Sequence, residues 1–282
     1  MAQRKLRLHW RKNFGLANGW RARLLDSAAN DPRTQALAPA LQNWLQLRMS
    51  NNTPYNEWVA ELLTTPLADS DPTQLPGQPS AGATPVAFYE ANQRSPEKLA
   101  AATSRLFLGV QVQCAECHDH PFADWTQESF WSYAAFFDDL NENQEPALTG
   151  EMDRLAIEIP GTEQSAAARF LDSSTPDDVD GKTRRQLVSQ WITGPRNPFF
   201  ARAAVNRVWD ALFGRGLIDP VDALDTETTP FDDVLGVLAD QFVRHEFDLS
   251  FLVKSITATR MYQLTSRTGP IDKGPIDKGA NR

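Results

Sequence analysis

The sequence predicts an all-α, multi-helix fold, in two helical parts joined by an acidic irregular segment with at most one short strand pair. Apolar residues recur at three- and four-residue spacing along much of 31–65, 96–137 and 183–261. Residues that start or stop helices bracket those stretches: Asp31-Pro32, Ser95-Pro96, Asn197-Pro198 and Gly214. A strand-like stretch is confined to Leu155-Ala156-Ile157-Glu158-Ile159, ended by Pro160-Gly161.

Residues 1–25 give a poorly capped amphipathic pattern in which Leu6, Trp10, Phe14, Leu24 and Leu25 face a core. Asp31-Pro32 opens a helix carrying Leu37, Leu41, Trp44, Leu45 and Met49, which closes at Asn51-Asn52. A third helix is expected over 54–65, with Thr53 as its N-cap and Pro54 at the first helical position. The proline-, glycine-, serine- and aspartate-rich stretch 66–85 reads as a loop or hinge. From Ser95-Pro96 a helix is expected to run through Leu99, Thr103, Leu106, Phe107 and Val110 into a cysteine motif, with Pro121 limiting its continuation. Asp124 or Thr126 then caps a helix bearing Phe130, Trp131, Ala134, Phe136 and Phe137, an aromatic wall that either shields a bound group or packs the core.

Residues 140–182 read as mostly irregular. Asp177-Asp178-Val179-Asp180-Gly181 lacks the spaced ligands and distal glutamate of a calcium loop. From Thr183 a helix with Leu187, Val188, Trp191 and Ile192 ends at Gly194-Pro195, and Asn197-Pro198 opens the next, which reaches Gly214. Arg202, Asn206, Arg207 and Asp210 are placed on its polar face, as a partner surface or, in the plainer reading, a solvated face or a buried Arg and Asp tie. Helices over 231–245 and 249–261 complete the set, and the repeated Gly-Pro-Ile-Asp-Lys beyond Ser266 predicts a disordered tail. The expected divisions are 1–140, 141–182, 183–266 and 267–282.

At 282 residues the chain is long enough for one large domain or two modest ones with a sizeable core. Its formal charge of −8 speaks against a nucleic-acid partner, which needs a basic face. Sixteen Asp or Glu in 114–180, against Arg154 and Arg169 alone, concentrate the negative charge around and after the cysteines. A charge run is usually a solvated surface, and near the cysteines this one also suits a basic redox partner protein. No apolar run is long enough to span a bilayer, and no leader with an apolar centre follows the basic start. The expectation is a cytoplasmic location if the chain is complete, or a piece of an exported protein.

Both cysteines and two of the four histidines fall in Cys114-Ala115-Glu116-Cys117-His118-Asp119-His120. Cys-x-x-Cys-His is the attachment sequence for c-type haem, in which two thiols three positions apart join one porphyrin and the next histidine ligates the iron. Cys114, Cys117 and His118 would take those roles. Met49, Met152, Met261, His120 and His245 all have the chemistry of a sixth ligand, though His120 lies too close to His118 to reach the opposite haem face easily. A redox dithiol uses the same cysteines, but Glu116 and Asp119 oppose a thiolate there. Zinc is a third reading, with Cys114, Cys117, His120 as an alternative ligand and a remote residue such as His245. The plainest reading is a buried turn with a local disulfide or two small apolar thiols. No Gly-x-Ser-x-Gly elbow, phosphate loop or His-Glu-x-x-His appears, so no catalytic residue is nominated and enzymatic activity is left open.

The run Arg105-Leu106-Phe107-Leu108-Gly109-Val110-Gln111-Val112-Gln113-Cys114 to Asp124-Trp125-Thr126-Gln127 resembles the core of the planctomycete-type cytochrome c domain. Asn197 to Arg202, Val205 to Trp209, Phe213 to Leu217, Pro220-Val221-Asp222 and Ser255 to Gln263 are similar to the domain of unknown function that follows it in the same exported bacterial proteins. The resemblance implies haem c on Cys114 and Cys117, His118 as proximal ligand, electron transfer, and a periplasmic or otherwise exported location. Against that plan the chain reads as an internal segment, with the start of the first domain and the end of the second outside it.

Overall fold

The computed structural model describes residues 15–67, 82–121, 123–138, 140, 148, 155–225 and 230–263. These residues are mostly helical, with one two-stranded antiparallel sheet among them. Leu6, Trp10, Phe14, Met152 and the expected tail lie outside the described residues.

Helix α1 covers 15–24 and buries Ala17, Trp20 and Leu24. Helix α2 (Pro32–Ser50) starts where the sequence predicts: Asp31 accepts from the Thr34 amide at 2.7 Å and Pro32 occupies the first turn. Helix α3 (Tyr55–Leu63) starts differently. Thr53 does not cap it, and the first amide, of Tyr55, donates to the Phe247 carbonyl at 3.0 Å. A chain segment nearly two hundred positions away thus satisfies a group that local sequence cannot.

The short helix α4 (Ala87–Ala91), absent from the sequence reading, packs on α2. Helix α5 (Pro96–Thr103) is shorter than predicted. It widens into a π-turn over Ser104–Leu108, and Gly109 in the left-handed region (φ 70°) stops it. Here Gly109 carries the constraint, because a Cβ would also meet Leu224 Cδ1 at 2.5 Å. The cysteines therefore do not end a long helix: Cys114 lies on a separate 3-10 turn, Gln113–Glu116, and Cys117 follows it directly. Thr126, of the two predicted caps, accepts from the Ser129 amide and opens α6 (Gln127–Ala134).

Strand β1 (Ala156–Glu158) lies within the predicted stretch and pairs antiparallel with β2 (Ser165–Ala167), Ile157 opposite Ala166. Leu155, Ile157, Ala166 and Ala168 turn inward against α6. Helix α7 (Arg184–Ile192) carries a full capping box between Thr183 and Gln186. Before α8 (Phe200–Phe213), Asn197 Oδ1 accepts from the amides of Phe199 and Phe200, and Gly214 (φ 78°) closes the helix as predicted. Helices α9 (Asp232–Arg244) and α10 (Leu249–Ala258) follow, and the predicted 249–261 helix breaks at the extended Thr259 before α11 (Arg260–Gln263).

One continuous hydrophobic cluster runs from Ala17 to Ile256, so residues before and after the acidic segment share a core. Trp20, Trp58, Tyr55 and Phe200 meet in ring contacts with centroids 4.8–5.6 Å apart, and Phe200, Phe242 and Phe247 continue the chain of rings. A second stack, Phe136–Phe170–Trp191, joins α6's end to α7. The aromatic wall after the cysteines packs core.

Buried polar side chains add ties of the same kind. From α7, Arg184 donates to the Ala135 carbonyl, and Arg185 donates to Thr65 and lies over the Tyr89 ring. From α8, Arg207 donates to the carbonyls of Leu106 and Arg105, and Asn206 spans both the amide and the carbonyl of Ile218. Arg202 pairs with Asp232 and Asp210 with Arg23. The polar face of α8 is the tie between helices that the plainer reading expected, except that Arg207 binds backbone carbonyls in place of a carboxylate.

Candidate functional site: an exposed cysteine and histidine turn

The Gln113–Glu116 turn is anchored from below by two small apolar side chains, Val112 and Ala115, both buried. It is gripped from the side by α6: Trp131 Nε1 donates to the Glu116 carbonyl at 3.0 Å, and Gln127 Nε2 donates to the carbonyls of Glu116 and Cys117. The Gln127 amide donates to Asp119 Oδ1 at 2.9 Å, and the His120 amide to the Trp125 carbonyl at 2.7 Å. Backbone carbonyls hold the turn, so its reactive side chains are left to point outward.

Cys114, Cys117 and His118 are all exposed, and both thiols are free. The buried-thiol reading is thereby corrected: the buried residue of the turn is Ala115, between the two cysteines. His118 Nδ1 is 2.8 Å from the Asp119 carbonyl, an acceptor, so Nδ1 carries the proton and Nε2 keeps its lone pair. That is the tautomer in which Nε2 can ligate a metal while the other ring nitrogen is oriented by a backbone carbonyl. His120 has the reverse arrangement. Its Nδ1 accepts from the Ala123 amide at 2.9 Å, which places the proton of the neutral ring on Nε2.

The other sequence-nominated ligands lie in different settings. Met49 is buried in the core, Met261 is exposed on α11, and His245 stacks on Phe251 with its Nδ1 on the Gln241 carbonyl. Among the described residues no group of three or more His, Cys, Asp and Glu side chains is placed to hold a metal ion. Cys114, Cys117, His120 and His245 accordingly form no such group among the described residues. Among the described residues no helix is long and apolar enough to cross a membrane.

A neighbouring loop that sequence reading did not connect to the turn closes over its base. Gln111 Nε2 donates to Asp222 at 2.8 Å, Trp125 Nε1 to Asp225, and the Leu224 amide to the Gly109 carbonyl. These partners stand about a hundred positions away, beyond any local signal. Arg207, on the polar face of α8, is buried all the same, and its partners Leu106 and Arg105 carry no local signal.

Residues 11–142 match the model of a family described as protein of unknown function DUF1549 (PSCyt2), and residues 183–278 match that of a protein of unknown function DUF1553 (PSD1). No curated protein and no solved structure matches the chain. The chain thus pairs a PSCyt2-type segment, which carries the Cys114–His118 turn, with a PSD1-type segment, which carries α7 to α11.

Proposed function

We propose that the turn is a covalent attachment site for one c-type haem, and that the protein is an extracytoplasmic electron-transfer protein. The observation that supports this most is the side-chain arrangement: two free, exposed thiols three positions apart, followed by a histidine whose Nδ1 is tied to a carbonyl and whose Nε2 is not. Cys114 and Cys117 would each add S–H across a vinyl group, forming a C–S bond with no change of oxidation state, and His118 Nε2 would ligate the iron. Bound haem supplies one-electron chemistry at its iron. The chain's own part is positional. Val112, Ala115, Gln127 and Trp131 hold the turn still, and the Asp119 carbonyl fixes the imidazole tautomer. Exposed Asp119 and Asp124 beside the turn give it a negative rim suited to a basic redox partner.

The test is expression of the full chain behind an export signal, beside a haem-attachment system. A haem absorption spectrum that survives denaturation, and disappears in Cys114→Ala and Cys117→Ala, supports the reading. A folded, colourless protein would overturn it and shift weight to a scaffold module whose turn is a structural disulfide or zinc site.

A further inference from the structure

Away from the cysteine turn, α1, the π-turn and α8 line an open pocket of about 320 Å³ bearing Gly19, Arg23, Asp26, Arg105, Arg207 and Asp222 together with two apolar residues. A smaller cavity of about 40 Å³ shares Gly19, Arg23 and Arg207 with it. The combined space is within the range of small-ligand pockets.

Its cations are compensated in part, by Asp26 and Asp222 in the lining and by Asp210 beside Arg23. Arg207 is 6% exposed, and its Nε and Nη2 are committed to the Leu106 and Arg105 carbonyls. Nη1 makes no hydrogen bond among the described residues. Burial pushes this guanidinium down, the nearby Asp222 carboxylate opposes that, and the charges of Arg23 and Arg105 push it down further. Arg105 has only a 3.7 Å contact to the largely exposed Asp26, and Arg23 spends one nitrogen on Asp210. One oxygen of Asp222 already accepts from Gln111. The Tyr55 hydroxyl, wholly buried and without a hydrogen-bond partner among the described residues, also lies within electrostatic reach of Arg207 and Arg23. Three like charges line one cavity.

We propose that this cavity binds a small oxyanion, a phosphate or a carboxylate, with Arg207, Arg105 and Arg23 as its charged donors. Guanidinium forks suit the planar or tetrahedral oxygens of either group. The site joins the PSCyt2-type and PSD1-type segments, since Arg23 and Arg105 come from the first and Arg207 from the second. It is independent of haem attachment.

Calorimetric titration of the full chain with inorganic phosphate, and separately with succinate, at constant ionic strength set by sodium chloride tests it. One of the two is expected to bind saturably at one per chain. Arg105→Gln, which leaves the Arg105 carbonyl in place, is expected to weaken that binding roughly tenfold, the size of one lost charge-assisted hydrogen bond. Arg23→Gln serves as the second variant, with both checked for folding by circular dichroism. No saturable binding of either anion overturns the proposal, as does binding weakened less than threefold in both variants; a threefold or larger loss in either sustains it.

Discussion

Arg207 shows how a charged side chain can sit in this core. Removing its guanidinium would take this donor from two carbonyls, of Leu106 and Arg105. Arg207→Met is therefore expected to cost about 2–4 kcal/mol in urea unfolding, within the range for breaking a buried charged hydrogen-bond group. Asn206→Ala is the milder case, at about 1–3 kcal/mol, because it strands the amide and the carbonyl of Ile218. His118 and His120 differ by tautomer within the same turn. The cysteines and His118 could be nominated from sequence because their chemistry lies within five consecutive residues. Arg207 and Trp125 could not be placed that way, since their partners stand about a hundred positions distant.

Helix ends divide into those written locally and those that are not. Asp31, Thr126, Thr183 and Asn197 cap from within their own turn, and each was readable as a start. Thr53 failed because the Phe247 carbonyl took the amide of Tyr55, and the long helix into the cysteines failed at the π-turn and Gly109. Gly109→Ala is expected to destabilise by about 1–3 kcal/mol, from its left-handed backbone and the approach of Leu224, with chemical denaturation as the readout. The Asp31 cap has a pH signature. Hydrogen bonds from Thr34 hold its carboxyl below the ordinary 3.8, so its contribution is complete above that value and fades as pH falls through the lower folded one. Asp31→Asn, which keeps a capping oxygen, is expected to flatten the acid limb of the melting curve while changing little near neutrality.

At the scale of the molecule, the two segments that match separate families share one apolar cluster and exchange buried arginine-to-carbonyl bonds. A single cooperative thermal transition is therefore expected for the full chain, with calorimetric and van't Hoff enthalpies in agreement; two separable transitions would contradict that picture. The all-α class was legible because helical periodicity covers most of the described chain. The shared core was not, because apolar stripes do not say which helices they meet. Against this frame the cysteine turn stands on the surface, held by its backbone. The most direct test is mass spectrometry of the exported full chain after denaturation and tryptic cleavage, which releases residues 106–154 as one peptide containing both cysteines. The haem-attachment account predicts that this peptide carries the mass of one haem and has no thiol left to alkylate. An unmodified peptide with two alkylatable cysteines, from protein made beside a working attachment system, would contradict it.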